Sequence, residues 1–455
     1  MIEDNPRQNE LEELAIFCNT FPLIYIWEHD SVQKLISKYL HFSEIRIQGF
    51  VKSRVLSCDQ EGEPFPVITL LKLKELNVHC TGKIGIIIST DSAMYNQDIQ
   101  LIKSVSGVDN FFFVSEWNKR TISYKMTPRS KENFWVEVNL ADHCNLNCQC
   151  CDHFSPIAKA TFLDFDQYVR DLKRLSDLTD NKIGLIKLQG GEPLLNDRLL
   201  DFMKVTREIF PNAFLCLFTD GVLLKKWGNK DGEENFWKAV KDYEYEIRWT
   251  HYPIGLNVDE IKEKALSYGV EWWEDPPPFK KGARLWFFSE IGALKYKGVK
   301  HSVKHPFWIE GGVEPFRWIS CYQFNESIVL RDGKIYTCPM IPYAHFFNEY
   351  FNQNLVVSEQ DFIDIYKAKS YEEIAEFCTH RMPFCTYCAV HHRSVRDWCQ
   401  SKHTIDEWTE PKSLGCEHIC CERKQGAFKK LCNSIKKDGI IRTCKKCVKR
   451  IVLGK

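Results

Sequence analysis

Four cysteines lie within eight positions of the chain, in the segment CNLNCQCC at residues 144–151. Thiolates are soft ligands, and a short loop that carries several of them is typical of zinc or iron–sulfur sites. Zinc commonly takes four protein ligands, as two short pairs that lie far apart in the sequence. Here Cys144, Cys148 and Cys151 form a self-contained C-x3-C-x2-C trio. This spacing favours an iron–sulfur cluster with one iron left open, and a zinc loop is the alternative.

A repeating strand–helix pattern surrounds this cysteine loop. The apolar segment at 134–140 predicts a strand that runs directly into the loop. Further strands are predicted at 183–188, 213–218 and 245–250, and helices at 165–178, 199–210, 236–243 and 258–269. Strands that alternate with helices indicate a parallel sheet. We expect an open or partial barrel whose loops at the carboxyl ends of the strands form the site.

The motifs at successive strand ends occur in the order cysteine loop, QGGEP at 189–193 and TDG at 219–221. This order resembles the radical S-adenosylmethionine (SAM) superfamily over residues 134–272. The resemblance implies that Cys144, Cys148 and Cys151 hold a [4Fe–4S] cluster whose open iron binds SAM. Cleavage of SAM then supplies a 5′-deoxyadenosyl radical that abstracts a substrate hydrogen. The residues that the resemblance implies as SAM contacts are Gly190, Gly191, Glu192, Pro193, Thr219 and Asp220.

The residue before the third cysteine departs from the family, which usually has an aromatic side chain there, near the adenine of SAM. This chain has Cys150 instead. We interpret Cys150 as a small, half-buried residue that is not a ligand, because C-x3-C-x-C would be a foreign spacing. Phe154 is then the candidate for packing against the adenine. His153 is interpreted as a hydrogen-bonding loop residue rather than a catalyst.

A second group of cysteines comprises Cys321, Cys338, Cys385 and Cys388. Asp332-Gly333, between the first two, is a strong hairpin signal that would bring them together. The pattern resembles the SPASM/twitch extension of radical SAM enzymes and extends the resemblance to about residue 390. It implies one auxiliary [4Fe–4S] cluster on these four thiolates. The alternatives are a second auxiliary cluster, for which Cys399 is distant although Cys416 and Cys420 keep a C-x3-C spacing, and structural zinc.

The N-terminal region is a separate α/β series. Strands are predicted at 23–26, 44–50, 67–70, 84–88 and 111–114, and helices at 31–40 and 98–105. The series resembles the small Rossmann-like domains found beside sugar-modifying enzymes. Its first turn, WEHDSV at 27–32, has no glycine and carries Glu28 and Asp30, which would repel a pyrophosphate. We therefore expect a docking or structural role rather than NAD binding, followed by a linker at 116–132.

The bulk composition is that of an ordinary globular protein of 455 residues with 20 cysteines and a formal net charge of zero. The neutral charge gives no argument for nucleic-acid binding. No apolar run is long enough for a membrane span, and the acidic start is unlike a signal peptide, so we expect a cytoplasmic protein that uses cysteine for metal. Cys18, Cys58, Cys80, Cys216 and Cys378 are expected to be small core residues.

The segment 422–455 contains twelve Lys or Arg and only two acidic residues. A solvated tail is one interpretation of this composition. Contact with a membrane surface or another anionic partner is the second. A small metal site at Cys444 and Cys447 is the third.

The predicted fold class is α/β, a partial (βα)6-type radical SAM barrel with domains on either side. The predicted boundaries are 1–118 for the degenerate Rossmann-like domain, 130–310 for the core, 311–400 for the auxiliary cluster domain and 401–455 for the basic tail. The predicted function is oxidation or epimerisation of a carbohydrate or nucleotide-linked sugar, with flavodoxin or ferredoxin as reductant. The alternative is a peptide- or protein-modifying maturase.

Overall fold

The structure is a computed structural model. It describes residues 8–28, 30–53, 65–91, 93–250, 252–274, 280–288, 302–304, 306–311, 321, 325, 328–389 and 394–410. The chain divides into two units, Met1–Thr409 and Glu410–Lys455, and every helix and strand among the described residues lies in the first unit. Within the described residues, no helix has both the length and the apolar character needed to cross a bilayer.

The N-terminal region forms a five-stranded sheet in which all neighbouring strands are parallel. The strands are β1 (Leu23–Trp27), β2 (Gly49–Lys52), β3 (Val67–Thr69), β4 (Ile84–Ile88) and β5 (Phe111–Phe113). The helices are α1 (Gln8–Thr20), α2 (Ser31–Phe42), α3 (Leu70–His79), α4 (Tyr95–Ser106) and α5 (Glu116–Met126). The strand order is β3-β2-β1-β4-β5, which the doubly wound dinucleotide fold also uses for its first five strands.

Helix α5 occupies most of the segment that we expected to be a linker. The Ser115 side chain caps it by accepting from the Asn118 amide at 3.3 Å. Ile122 and Met126, four positions apart on one face, are each 1% exposed and belong to the core of the N-terminal domain. The expectation of a linker is therefore wrong over residues 116–126, because this apolar pair buries the helix despite its polar composition.

A nine-stranded sheet forms most of the rest of the unit. Its strands are β6 (Trp135–Asn139), β7 (Leu185–Gln189), β8 (Phe214–Thr219), β9 (Tyr245–Thr250), β10 (Glu271–Trp273), β11 (Arg284–Phe288), β13 (Ile328–Arg331), β14 (Lys334–Tyr336) and β15 (Ile363–Asp364), in the order β10-β11-β9-β8-β7-β6-β13-β14-β15. Neighbouring strands are parallel from β13 through β6 to β10. Strand β14 pairs antiparallel with both β13 and β15. A separate antiparallel pair joins β12 (Ser302–Lys304) to β16 (Ser394–Arg396).

Helices cover one face of the parallel part of this sheet. They are α6 (Phe165–Thr179), α7 (Leu199–Ile209), α8 (Leu224–Gly228), α9 (Phe236–Asp242), α10 (Val258–Ser267) and α12 (Tyr371–Phe377). Helix α11 (Met340–Phe351) instead packs in a separate core cluster with Val329 and Tyr336. Alternate strand residues point to opposite faces. Val136, Ile186 and Leu215 enter the large core under the helices. The predicted α/β fold with a parallel, partial-barrel sheet is confirmed.

The opposite face of the sheet, here called the inner face, carries charged side chains at the central positions of its strands. Glu137, Lys187, Cys216, Glu246 and Arg284 lie side by side on five neighbouring strands. Lys187 Nζ lies 2.5 Å from Glu137 Oε1, and Arg284 Nε lies 3.4 Å from Glu246 Oε2. The strand alternation thus places apolar side chains under the helices and a row of charged side chains on the inner face, next to a smaller apolar cluster of Leu185, Phe214 and Cys216.

Most of the described cysteines that were predicted to be core residues are buried. Cys18, Cys216 and Cys378 are buried, whereas Cys80 is half-buried. Cys58 and the tail cysteines, among them Cys416, Cys420, Cys444 and Cys447, lie outside the described residues. The described cysteines are all free thiols.

Candidate metal centre

The cysteine loop begins where β6 ends and coils tightly. Asn147, Cys150 and Phe154 have positive φ angles of 52°, 60° and 56°, a left-handed conformation that is uncommon away from glycine. Such turns bring Cys144, Cys148 and Cys151 toward one another. Cys150 is only 3% exposed, more deeply buried than the half-buried position we expected.

The three thiols lie close to one another in half-buried positions. The Cys144 sulfur accepts from the Leu146 amide at 3.3 Å, and the Cys148 sulfur accepts from the Trp398 indole at 3.1 Å. Burial raises the pKa of the Cys148 thiol to about 12, and it also raises the pKa of Cys144 and Cys151. Bound metal reverses this preference, because a cation favours the thiolate.

The two glycines of the QGGEP motif let β7 approach the cysteine loop. The Gly191 amide donates to the Ala141 carbonyl at 2.8 Å, and the next amide, of Glu192, donates to the His143 carbonyl at 3.1 Å. A Cβ on Gly191 would lie 2.0 Å from the His143 carbonyl oxygen, and a Cβ on Gly190 would lie 2.5 Å from that of Ala141. The sequence predicted that the two glycines are contacts of SAM. In the structure they allow the close approach of the cysteine loop.

Glu192 connects the QGGEP motif to the TDG motif at the end of β8. Its carboxylate is 1% exposed and accepts from the Leu194 amide at 2.9 Å, the Thr219 hydroxyl at 2.8 Å and the Asp220 amide at 2.8 Å. Burial, followed by the charge of Asp220, raises the pKa of Glu192 well above its usual range. Asp220 in turn lies 3.9 Å from the Cys144 sulfur. The three predicted motifs therefore form one hydrogen-bonded assembly, in which Pro193 begins a short 3-10 turn. Their contacts with SAM remain predictions.

The expectation for Phe154 is wrong. Its ring is fully buried and packs against Phe307, Phe347 and Trp408 at centroid distances of 5.9, 5.8 and 6.1 Å, so no face is left for an adenine. His153 lies 3.3 Å from the Gln189 amide nitrogen, as a hydrogen-bonding loop residue would.

The structure also brings together the four cysteines of the second group. Cys321, Cys385 and Cys388 pack around Trp308, and Cys338 and Cys385 share another apolar cluster. The predicted hairpin is present, as β13 and β14, with positive φ at both Asp332 and Gly333. Burial, followed by the charge of the nearby Cys321, raises the pKa of Cys385 to about 12.

One segment near the cysteine loop was not found from the sequence. Residues 398–408, here called the strap, contact the loop at Cys148 through Trp398 and at the Cys151 carbonyl through the Trp408 indole, which donates at 3.1 Å. The partners in these bonds are 250 and 257 residues apart. The only sequence feature that could have indicated this contact is the pair of tryptophans among polar residues. We had assigned part of this segment to the basic tail.

The core of the chain has curated relatives, although no protein-family model matches it. Over 97 residues, 21% of this chain, it is 31% identical to the GTP 3′,8-cyclase of Clostridium perfringens. Over 175 residues, 35% of this chain, it is 24% identical to the FeMo cofactor biosynthesis protein NifB of Methanocaldococcus infernus. These curated relatives are radical SAM proteins, as the cysteine loop and the QGGEP motif predicted.

The chain spans only part of the length of these relatives, namely 29% of the cyclase and 52% of NifB. Distant structural likenesses also exist. BtrN in complex with AdoMet and 2-DOIA aligns with a TM-score of 0.32 and 14% identity, over 57% of this chain and 94% of BtrN. SuiB of Streptococcus suis bound to S-adenosylmethionine aligns with a TM-score of 0.28 and 11% identity, over 62% of this chain and 77% of SuiB.

The radical SAM relatives of this chain use a [4Fe–4S] cluster and S-adenosylmethionine. The donor set fits a cluster, because three free thiols of one loop, Cys144, Cys148 and Cys151, all lie near Tyr252 in half-buried positions. Within the described part of the chain, no three His, Cys, Asp or Glu side chains converge closely enough to hold one metal ion. A four-iron cluster is larger than one ion, and its ligands stand further apart.

Proposed function

We propose that this protein is an enzyme that reductively cleaves S-adenosylmethionine at a cluster held by Cys144, Cys148 and Cys151. The observation that carries the proposal is the bonding of the cysteine loop to the QGGEP segment, through Gly191 and Glu192. These hydrogen bonds place the three thiols beside the glycine backbone of the QGGEP segment, at the carboxyl ends of β6 and β7. The bound cofactors supply one-electron cleavage of the C5′–S bond, for which a flavodoxin or ferredoxin delivers the electron.

The polar inner face supports a carbohydrate or nucleotide-linked sugar as substrate, for oxidation or epimerisation. Arg248 lies 5.2 Å from the ring centroids of both Phe218 and Trp286, and Lys187 lies 4.4 Å from that of Phe218. Cations beside flat rings combine hydrogen-bond donors with stacking surfaces, and both suit a ring that carries hydroxyl groups.

Asn139 adds an acceptor at the carboxyl end of β6. It is 4% exposed, and its Oδ1 has no hydrogen-bond partner among the described residues. A buried acceptor is normally satisfied, so this atom is suited to a donor from a ligand, such as a sugar hydroxyl.

We also propose that Cys321, Cys338, Cys385 and Cys388 hold one auxiliary [4Fe–4S] cluster. Four thiolates would occupy all four irons, so no iron there is open to SAM. In an oxidation, a cluster held by these four cysteines would supply an acceptor for the electron that the substrate radical loses as its proton leaves to a base. In an epimerisation the radical instead regains a hydrogen atom, and the cluster has a structural role.

The test of SAM cleavage is the triple change of Cys144, Cys148 and Cys151 to Ala. It should remove about four irons per chain and abolish formation of 5′-deoxyadenosine by the reduced protein. Cys150→Ala is the matched control and should retain the iron, since Cys150 is not a proposed ligand. Cleavage by the triple variant would refute the proposal.

Deuterium transfer tests the substrate class. Perdeuterated nucleotide-linked hexoses are incubated with the reduced protein and SAM, and the 5′-deoxyadenosine is examined by mass spectrometry. Deuterium in that product supports the sugar proposal. Deuterium that comes only from labelled peptides would support the peptide-modifying alternative instead.

A further inference from the structure

The strap pairs with the cysteine loop through its backbone. The Gln149 amide donates to the Cys399 carbonyl at 2.9 Å, and the Ser401 amide donates to the Asn147 carbonyl at 2.8 Å. Between these bonds, Cys148 forms an isolated antiparallel bridge to the strap. The middle cysteine of the trio is thus held by a backbone partner from a distant part of the chain.

Trp398 reaches the sulfur of that same cysteine. Its Nε1 lies 3.1 Å from Cys148 Sγ, and its ring lies 5.7 Å from the Tyr252 ring at an interplanar angle of 49°. The Tyr252 hydroxyl also hydrogen-bonds to Cys148. A hydrogen bond to a sulfur strengthens when that sulfur becomes an anionic ligand, because charge-assisted bonds are stronger than neutral ones.

The far end of the strap is anchored in the core. Trp408 is 1% exposed, and its carbonyl accepts from the Phe307 amide at 2.7 Å. The buried Glu407 carboxylate accepts from the Lys402 amide at 2.7 Å, which fixes the turn between the two tryptophans. Trp398 is therefore presented to the loop by a segment with its own fixed geometry.

We propose that the strap positions the SAM-binding cysteine loop, and that the Trp398 indole donates to the Cys148 thiolate and raises the reduction potential of the cluster. The inference rests on the function proposed above. Hydrogen bonds to the sulfurs help to set the potential of an iron–sulfur cluster. Reduction adds negative charge, and the partial positive charge of the indole hydrogen stabilises the reduced state more than the oxidised state. Trp398 is in this sense a positioning residue that acts through Cys148.

The test is the midpoint potential of the full-length, anaerobically reconstituted protein. It is measured by a redox titration followed by electron paramagnetic resonance (EPR). The signal is assigned to the SAM-binding cluster by its change when SAM is added. Trp398→Phe keeps a ring beside Tyr252 but removes the donor, so its potential should be more negative at unchanged iron content. Trp398→His, which retains a ring N–H, should restore part of the shift.

Trp408→Phe is the matched control, because it also removes an indole bond to the loop, but one that ends on the Cys151 carbonyl rather than on sulfur. It should lower thermal stability and leave the potential closer to that of the wild type. Equal potentials for the wild type and for Trp398→Phe would overturn the inference while leaving the proposed function intact. A wild-type protein with no SAM-responsive EPR signal would instead overturn the proposed function.

A second measurement needs no variant. Electron–nuclear double resonance is recorded on the reduced wild-type cluster in protein labelled with indole-¹⁵N tryptophan. The inference requires a ¹⁵N coupling and an exchangeable proton coupled to the same signal. Absence of both would refute the hydrogen bond even if Trp398→Phe fails to take up iron.

Discussion

Lys125, on helix α5 of the N-terminal domain, donates from its Nζ to the backbone carbonyl of Cys321, the first auxiliary cysteine. The contact is reciprocal, since Asn325 Nδ2 donates to the carbonyls of Lys125 and Thr127 at 3.1 and 3.2 Å. The C-terminal end of α5 is therefore bonded to both Cys321 and Asn325. Through Cys321 the N-terminal region contacts the second cysteine group.

Lys125→Met should destabilise this contact. It leaves the part-buried Cys321 carbonyl without its donor, and the loss of such a hydrogen bond costs about 1 kcal/mol. We expect a lower thermal unfolding temperature and less iron retained at the auxiliary site. Lys74→Met, at an exposed position on α3, is the control and should change stability by no more than about 0.5 kcal/mol. Unchanged stability and iron in Lys125→Met would show that the contact is dispensable.

NAD(H) should not bind to the N-terminal domain. In the dinucleotide fold the amides at the start of the first helix receive the pyrophosphate. Here the Asp30 carboxylate already accepts from the Val32 amide at 2.8 Å and the Gln33 amide at 3.3 Å. A fluorescence titration with NADH should give no dissociation constant below about 100 μM, or about −5.5 kcal/mol. A tighter constant would contradict the structural role.

Cys385→Ser separates the two roles of the auxiliary site. If the cluster accepts the substrate electron, the variant should still form 5′-deoxyadenosine when substrate is present but should not form oxidised product. Both products are quantified by chromatography, and the circular dichroism spectrum of the variant reports whether it is folded. Loss of folding together with both activities would assign the site a structural role. Full product formation would remove the case for an essential cluster.

Gly191→Ala should prevent assembly of the metal centre. Its Cβ would lie 2.0 Å from the His143 carbonyl oxygen and 2.9 Å from the Cys144 amide nitrogen, so the cysteine loop must move away from β7. We expect a large loss of iron after reconstitution. Gly184→Ala is the matched control, since its Cβ would lie 1.9 Å from the Glu132 carbonyl oxygen, away from the cysteines. It should lose stability but keep its iron at the SAM-binding loop. Equal iron loss in both variants would mean that the effect is general unfolding.

Elements with strong local signals were predictable from the sequence. The apolar run at Ile84–Ile88 is β4 itself, and Asp332-Gly333 forms the turn of the β13–β14 hairpin. The strand expected at 44–50 begins only at Gly49. Ile45 and Ile47 alternate as strand residues do, but they pack into the core without forming a ladder. Periodicity reports which side chains are buried and does not report whether a neighbouring strand is available.

The candidate site was predictable where its residues lie close in sequence or at successive strand ends. Strand order places Cys144, Glu192 and Asp220 at one edge of the sheet without knowledge of any side-chain contact. The role of the strap was not predictable, because no local pattern encodes a contact between Trp398 and Cys148. Phe154 was misassigned for a similar reason, since the rings that bury it come from distant segments.

The distance along the chain between the loop and its strap also sets an order of events during synthesis. With Cys148 and Trp398 250 residues apart, a ribosome that adds about 5–20 residues per second makes the loop roughly 12–50 s before the strap. The three thiols therefore exist before the segment that bonds to the middle one, Cys148, has been made. During that interval the backbone groups of Asn147 and Gln149 lack the partners that the strap later provides.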